Sequence, residues 1–483
     1  MKIQMTAKIT DDNGNEITRT IEKEALIPDI FEYGEKESFC EIFHRYEKPT
    51  IQIRNELAEE ITKEYLDGAA ALKKTEKSRK CELEAEIGRC RVENGSEIMG
   101  FGKPKERARS RAFTELCLMF AGSMSVREGA RALNRVLWRT GTTEIKLRTY
   151  FDFCQRQGCQ IEEAIARESA KALEENGFDA DGGTPLRREA PESPLQQEGG
   201  AWNDARRLEE AKETLEASFG LSRERLEALA SELENPAESC YVSPDDVRQK
   251  ERRTEEYQKE KAFVKNTVIE VQTPAKSVIL TAVGMKTAFL TLLAYLLSND
   301  LLSGKTLVFF TDGAKDLRGH ITKLFAFRKF RVILDWYHLM ERCKVCLSGS
   351  FKGGKEQRNQ ILSELSPLLW TGDVSAAVAY LKGLNPEILR PKNRIEELQN
   401  YLEERREQIP CYALRSALGL RISSNRVEKA NDMVVARRQK NNGMSWSETG
   451  SGALAQISAL SHNDSLSLWL DENRLSIFPA HSA

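Results

Sequence analysis

At 483 residues the chain is too long for one ordinary domain, and its 40% hydrophobic and 30% charged residues describe a soluble, globular, helix-rich protein. The formal net charge of −2 does not exclude a nucleic-acid partner, because Lys73–Lys80 and Lys103–Arg111 are basic while residues 179–234 lean acidic, and local patches decide such binding. The longest apolar run, Ala288–Leu297, is too short to cross a bilayer, the start of the chain lacks an apolar signal core, and the ten cysteines lack the spacing of a secreted framework. These features fit a cytoplasmic protein with no membrane partner.

Residues 1–112 read as an N-terminal α/β region of unknown role, in which 1–65 alternate short strand-like pieces with acidic helical ones and carry no recognisable chemistry. The basic run Leu72–Lys80 reads as a solvated charged face before it reads as a DNA contact. Residues 113–176 are more informative. Phe113–Ala121 is an apolar helical stretch, and Ser125 caps a second helix with Val126, Ala130, Leu133 and Leu137 on one side. Gly141-Thr-Thr breaks the chain before a third helix over Glu144–Gln157, whose exposed side offers Lys146, Arg148 and Arg156. Three short helices ending in a cationic one have the plan of a helix-turn-helix DNA-binding region, and equally that of a plain three-helix bundle. Composition shifts to Pro, Gly, Glu and Gln at residue 177, so 177–236 reads as a linker followed by a charged helical spacer.

From residue 237 the pattern changes to strands. Ser239–Val247 ends in Asp245 and Asp246, Thr267–Gln272 and Ser277–Val283 follow as a hairpin, and a Leu- and Ala-rich helix runs from about Lys286 to Leu302. Thr306–Thr311 and Arg331–Leu334 are apolar strands, each closed by an aspartate, Asp312 and Asp335, and linked by a helix with Leu317, Ile321 and Leu324 inward. Three consecutive strands, then helix–strand–helix–strand, is the order of a ribonuclease-H-like α/β core, in which the first and fourth strands are neighbours. Asp245 and Asp312 would then meet. Facing carboxylates repel, and a Mg²⁺ ion between them relieves the repulsion and suits phosphoryl transfer. Residues 351–414 read as an all-α insertion that divides the core into 237–350 and 415–483. Beyond it, Glu428 is the candidate third acid, on a helix with Val427, Ala430 and Val434 inward and a cap from Ser423, Ser424 or Asn425. Arg421, Arg426, Lys429, Arg437, Arg438 and Lys440 surround it, as around a polyphosphate or as in a surface salt-bridge helix. Cys343-Lys-Val-Cys346 reads as two ordinary helix cysteines, because no second Cys/His pair has zinc spacing. Trp446 is the best candidate for a DNA-adjacent aromatic.

Tyr241-Val-Ser-Pro-Asp-Asp-Val, Thr311-Asp-Gly-Ala, Ile333-Leu-Asp-Trp-Tyr-His, Asn425-Arg-Val-Glu-Lys-Ala-Asn and Asn442-Gly-Met-Ser-Trp-Ser, in that order, resemble bacterial insertion-sequence transposases of the DDE type, in the group allied to Mutator-like elements. The resemblance covers roughly residues 238–470. It implies a catalytic and metal-binding triad at Asp245, Asp312 and Glu428, with two Mg²⁺ ions that Mn²⁺ can replace, and accessory roles for Asp335 and His338. Asp246 is a rival for the first position, and Ser423-Ser-Asn stands where the family carries glycine. Also implied are double-stranded DNA partners (the element's terminal inverted repeats and the target), a homo-oligomer on DNA, and a nucleoid-associated location. Other readings of the same residues are a nuclease that cuts without joining and a DNA-binding derivative with an inert core.

Overall fold

In the computed structural model the described residues are 2–10, 12–24, 39–72, 79–86, 89–92, 107–137, 139, 144–187, 193–251, 263–440 and 444–479. Several expectations lie outside them: the basic stretches at 73–78 and 103–106, the break at Gly141-Thr-Thr, and Asn442-Gly443 of the last motif. The chain forms two compact units, Met1–Arg156 with Leu466–Arg474, and Gln157–Ser465 with Leu475–Ala483.

The first unit opens with an antiparallel hairpin, β1 (Lys2–Thr10) and β2 (Glu16–Glu24), followed by a long helix, α1 (Phe39–Leu72). A small sheet of β3 (Cys81–Glu84), β4 (Arg89–Val92) and β5 (Arg107–Arg109) comes next, with β3 in the middle. Then come α2 (Arg111–Ser123), α3 (Val126–Val136) and α4 (Leu147–Glu175). Ser125 starts α3 with a reciprocal capping box to Glu128.

The third helix differs from the expectation of a short one. α4 has 29 residues and continues well past Gln157. Its apolar positions carry on as Ile161, Ala164, Ile165, Ala172 and Leu173, all buried, and its first breaker is Gly177, at φ +77°. Gly158 does not stop it, because the glycine is there to admit a neighbour: a Cβ would fall 2.3 Å from the Ala453 carbonyl oxygen. The division between the units falls inside this helix, at Arg156/Gln157.

The second unit begins with that helix. The stretch expected as linker is partly built into the unit: Phe178 bridges to Pro185, and a Cβ on Gly199 would meet the Glu238 carbonyl. α5 (Ala205–Phe219) and α6 (Arg223–Ser231) pack Leu215 and Leu226 against Leu414 and Leu418. The centre is a five-stranded mixed sheet of β6 (Ser239–Lys250), β7 (Phe263–Gln272), β8 (Ser277–Val283), β9 (Thr306–Thr311) and β10 (Arg331–Leu334), ordered β10-β9-β6-β7-β8. β6, β7 and β8 are antiparallel, and β6, β9 and β10 are parallel. This is the strand order that the sequence pattern suggested, in a mixed α/β unit.

α7 (Met285–Ser298) follows β8, and α8 (Lys315–Leu324) joins β9 to β10. α9 (Trp336–Leu347) leads into α10 (Gly354–Trp370), α11 (Val374–Lys382), α12 (Ile395–Glu404) and α13 (Tyr412–Ala417). These helices bury Leu365, Val378, Leu398 and Leu402 against Leu339 and Leu347 of α9. Cys343 and Cys346 lie in the same core, as helix packing residues do. α14 (Asn425–Asn431) runs through a π-helical turn at Asp432–Ala436 into α15 (Arg437–Gln439), with Val427, Ala430 and Val434 inward. α16 (Glu448–His462) completes this core, and α17 (Leu466–Glu472) belongs to the first unit. Among the described residues no helix is long and apolar enough to cross a membrane.

Candidate active site

Three aspartates stand level on three adjacent strands. β6 pairs with β9 up to Val242↔Phe309, and three residues further on each strand are Asp245 and Asp312. β9 pairs with β10 up to Leu334↔Thr311, and the next residues are Asp335 and Asp312. Side chains alternate along strands, and in-register parallel neighbours share a face. Asp245, Asp312 and Asp335 therefore share a face with Tyr241, Val308 and Phe310. That is the face on which α9 and the helical insertion pack. Asp246 points the other way, where its carboxylate accepts from the Thr267 hydroxyl at 2.6 Å.

Each carboxylate is fixed differently. Asp245 accepts from its neighbour's amide, Asp246 N, at 2.8 Å and from the side-chain amide of Asn431 on α14 at 2.5 Å. Burial pushes its pKa up to about 6; the Asp246 amide opposes the rise, the charge of Asp312 adds to it, and His338 opposes it. Asp312 accepts from Ala314 N at 2.8 Å across a turn in which Gly313 has φ +85°. That conformation and the crowding demand glycine, since a Cβ would lie 2.9 Å from both Leu334 Cδ1 and Tyr401 Oη.

Asp335 is fully buried and caps α9 by accepting from His338 N at 3.0 Å. Its other oxygen accepts from the Ser424 hydroxyl at 2.9 Å and also from the Ser424 amide. Burial works to raise its pKa, but His338 and Ser424 outweigh burial and hold it below the ordinary value. Ser424 therefore does not cap α14 with its side chain, as the sequence suggested; its hydroxyl is turned to Asp335 instead.

His338 stands between acids. Its Nδ1 is 3.3 Å from Asp335 and its Nε2 is 3.8 Å from Glu428. Contact with Asp335 pushes the imidazole up to about 9 against the effect of burial, with Asp312 and Glu428 adding to the rise. The acids on both sides favour the protonated imidazole. Glu428 is on α14 and half exposed. Among the described residues no three His, Cys, Asp or Glu side chains are gathered at metal-ligating spacing. Asp245 and Asp312 are brought together, while Glu428 stands off at His338. The donor chemistry nevertheless fits a hard divalent ion, because two level carboxylates, one of them destabilised by burial and further by the other's charge, are an oxygen pair that a cation would stabilise.

A cleft of about 540 Å³ opens beside Asp312 and His338, and α12 forms its far wall with Tyr401 and Arg405. Arg405 donates to the Gly313 carbonyl at 2.8 Å and lies 4.0 Å over the Tyr401 ring. Arg342 on α9 flanks the same ring at 5.3 Å. These contacts, and the grip of Asn431 on Asp245, had no sequence signal, since they join residues of ordinary type far apart in the chain.

The candidate DNA-contacting residues divide. Lys146, Arg148 and Arg156 are exposed, with Arg148 bonded to Asp152 at 2.8 Å, and Arg426, Lys429, Arg437 and Lys440 are exposed as well. Trp446 is not available for stacking. It is 4% exposed, its indole N–H donates to the Gln439 carbonyl at 3.1 Å, and its own amide donates to Lys250 O. Arg438 is buried too, 5.6 Å over the Trp446 ring, so it is a packing partner and not a surface cation. The helical period places it inward beside Gln439.

No family model matches the chain, and no curated protein does. Among solved structures it is similar to the Drosophila P element transposase strand transfer complex, at 11% identity and a TM-score of 0.23, over 78% of this chain and 84% of that one. A likeness this loose says nothing of activity.

Proposed function

We propose that the chain is a DDE transposase with a ribonuclease-H-like core, of the insertion-sequence kind allied to Mutator-like elements, acting on the terminal inverted repeats of its element and on target DNA. The observation that carries this reading is the level pair Asp245 and Asp312 on adjacent parallel strands, buried enough that one carboxylate is pushed up to about 6. In this reading the pair holds Mg²⁺ or Mn²⁺ and Glu428 completes the ligand set. Bound there, one or two such ions would activate a water or a 3′-hydroxyl and neutralise phosphate charge. The chain's own residues prepare the site. Asn431 and the Asp246 amide orient Asp245, the Ala314 amide orients Asp312, and imidazolium His338 draws Glu428 towards the sheet. Exposed Arg426, Lys429, Arg437 and Lys440 contact DNA phosphates, Lys146, Arg148 and Arg156 do so on the first unit, and a homo-oligomer holds two ends together.

The test uses the element's terminal-repeat DNA with Mg²⁺, scoring cleavage and joining to a target separately. Asp245→Asn, Asp312→Asn and Glu428→Gln are expected to abolish both while repeat-end binding persists. Full strand transfer by Asp312→Asn would sink the reading, and metal-dependent cleavage without joining would make the protein a nuclease.

A further inference from the structure

α8 starts three residues after Asp312, and its inner side is Leu317, Ile321 and Leu324, all buried. Its outer side presents Lys315, Arg318, Gly319, Thr322 and Lys323, all exposed, at the spacing of one helical face. That face has three cations, and Asp316, also exposed, borders it beside Lys323 as the helix's one acid. Around this face lie three hollows that share lining residues: the cleft beside Asp312, one of about 460 Å³ along Arg318 and Thr322, and one of about 500 Å³ between α8, Asp246 and Lys265. Lys315 lines all three.

Asp316 and Glu404 are the nearest acids to these cations, and neither neutralises the face. Arg318 reaches a backbone carbonyl, Glu404 O, at 3.4 Å, which leaves its charge intact, and Lys315 is 3.8 Å from the Glu404 carboxylate, in solvent. Lys265 adds a fourth cation across the groove. At Gly319 a Cβ would have nothing within 4 Å, so the middle of the face is open and flat. From Lys315 to Lys323 the helix rises about 12 Å, against about 3.4 Å of duplex axis per phosphate of one strand, so the three cations span about four phosphates.

We propose that α8 is the track on which the DNA backbone next to the scissile phosphate lies, its phosphates meeting Lys315, Arg318 and Lys323. This rests on the functional reading above, and it adds to the cations of α14 a second DNA-facing surface on the helix that follows Asp312.

The experiment measures binding of a duplex by the full chain over a range of salt, without divalent metal, so that catalysis plays no part. Lys315→Ala/Arg318→Ala/Lys323→Ala should flatten the plot of log affinity against log salt by about 0.9 per cation. Gly319→Glu, which fills open space and favours the helix, should weaken binding at least tenfold while Gly319→Ala does not. An unchanged slope in the triple variant, with the parent binding and cleaving normally, overturns the track and leaves the transposase reading intact. A parent that binds no DNA at any salt overturns both. Stronger competition by an acidic polypeptide than by duplex would assign the face to a protein partner and also overturn the track.

Discussion

Asp335 accepts two hydrogen bonds from Ser424, one from the hydroxyl at 2.9 Å and one from the backbone amide, while its other oxygen caps α9 at His338. One buried carboxylate thus ties the first turn of α9 to the first turn of α14. The consequence is 3.8 Å between His338 and Glu428, which are otherwise held by helices separated by the whole insertion. Asp335 acts in this arrangement through the two helix starts that it holds.

Removing that carboxylate should therefore cost both stability and geometry. Asp335→Ala leaves the Ser424 and His338 amides without an acceptor in a dry site, a loss of about 3 kcal/mol or more. Ser424→Ala loses the hydroxyl bond and keeps the amide bond, so about 1 kcal/mol is expected. Urea denaturation midpoints of the two variants would show the difference; equal small shifts would mean that the tie is not structural.

The residues that could be read in advance were those whose type and spacing carry the signal. β8 was legible at Ser277–Val283 because its apolar run is bounded by turn residues, and the level of Asp245 and Asp312 followed from strand order alone. Length was harder. Nothing in Glu144–Gln157 announces that α4 continues to Glu175, because Gly158 looks like a breaker and is a packing contact. Trp446 failed for a related reason: an aromatic beside Gly and Ser reads as exposed, whereas it bridges to Glu251 at the end of β6 and its indole is buried against Gln439. Asn431 gave no warning, since an amide three residues after Glu428 is ordinary helix composition until the fold sets it against Asp245.

Because Trp446 is packed against Arg438 and bonded to Gln439, Trp446→Ala should lower stability by about 3–5 kcal/mol. DNA affinity per folded molecule should be unchanged at low temperature, as judged by binding titrations corrected for the folded fraction. A loss of affinity without loss of stability would return the indole to the DNA surface.

The Asp312 turn makes a sharper demand. Gly313→Ala meets both a left-handed φ of +85° and two atoms 2.9 Å from the new Cβ, one of them the Tyr401 hydroxyl. A destabilisation of about 1–3 kcal/mol is expected, with cleavage falling further than stability explains because α12 or Asp312 must move. Cleavage at a temperature where the variant is fully folded is the discriminating measurement.

If Asp245 and Asp312 hold a divalent ion as proposed, the pH dependence of its binding follows from Asp245. Its folded pKa, about 6, is above the ordinary 3.8. In the metal-free protein the folded state therefore holds more protons than the unfolded state between about pH 4 and 6. This carboxylate's contribution to stability accordingly falls as pH rises through that window. A divalent ion that binds the ionised pair reverses the effect, and it must displace the proton at lower pH. Mg²⁺ should thus raise the melting temperature at pH 7.5 and have little effect at pH 5, with proton release on binding strongest near pH 5–6. Calorimetry in buffers of different ionisation enthalpy would detect that release. Asp312→Asn should remove the Mg²⁺ response altogether, and a response that survives in that variant would place the ion elsewhere.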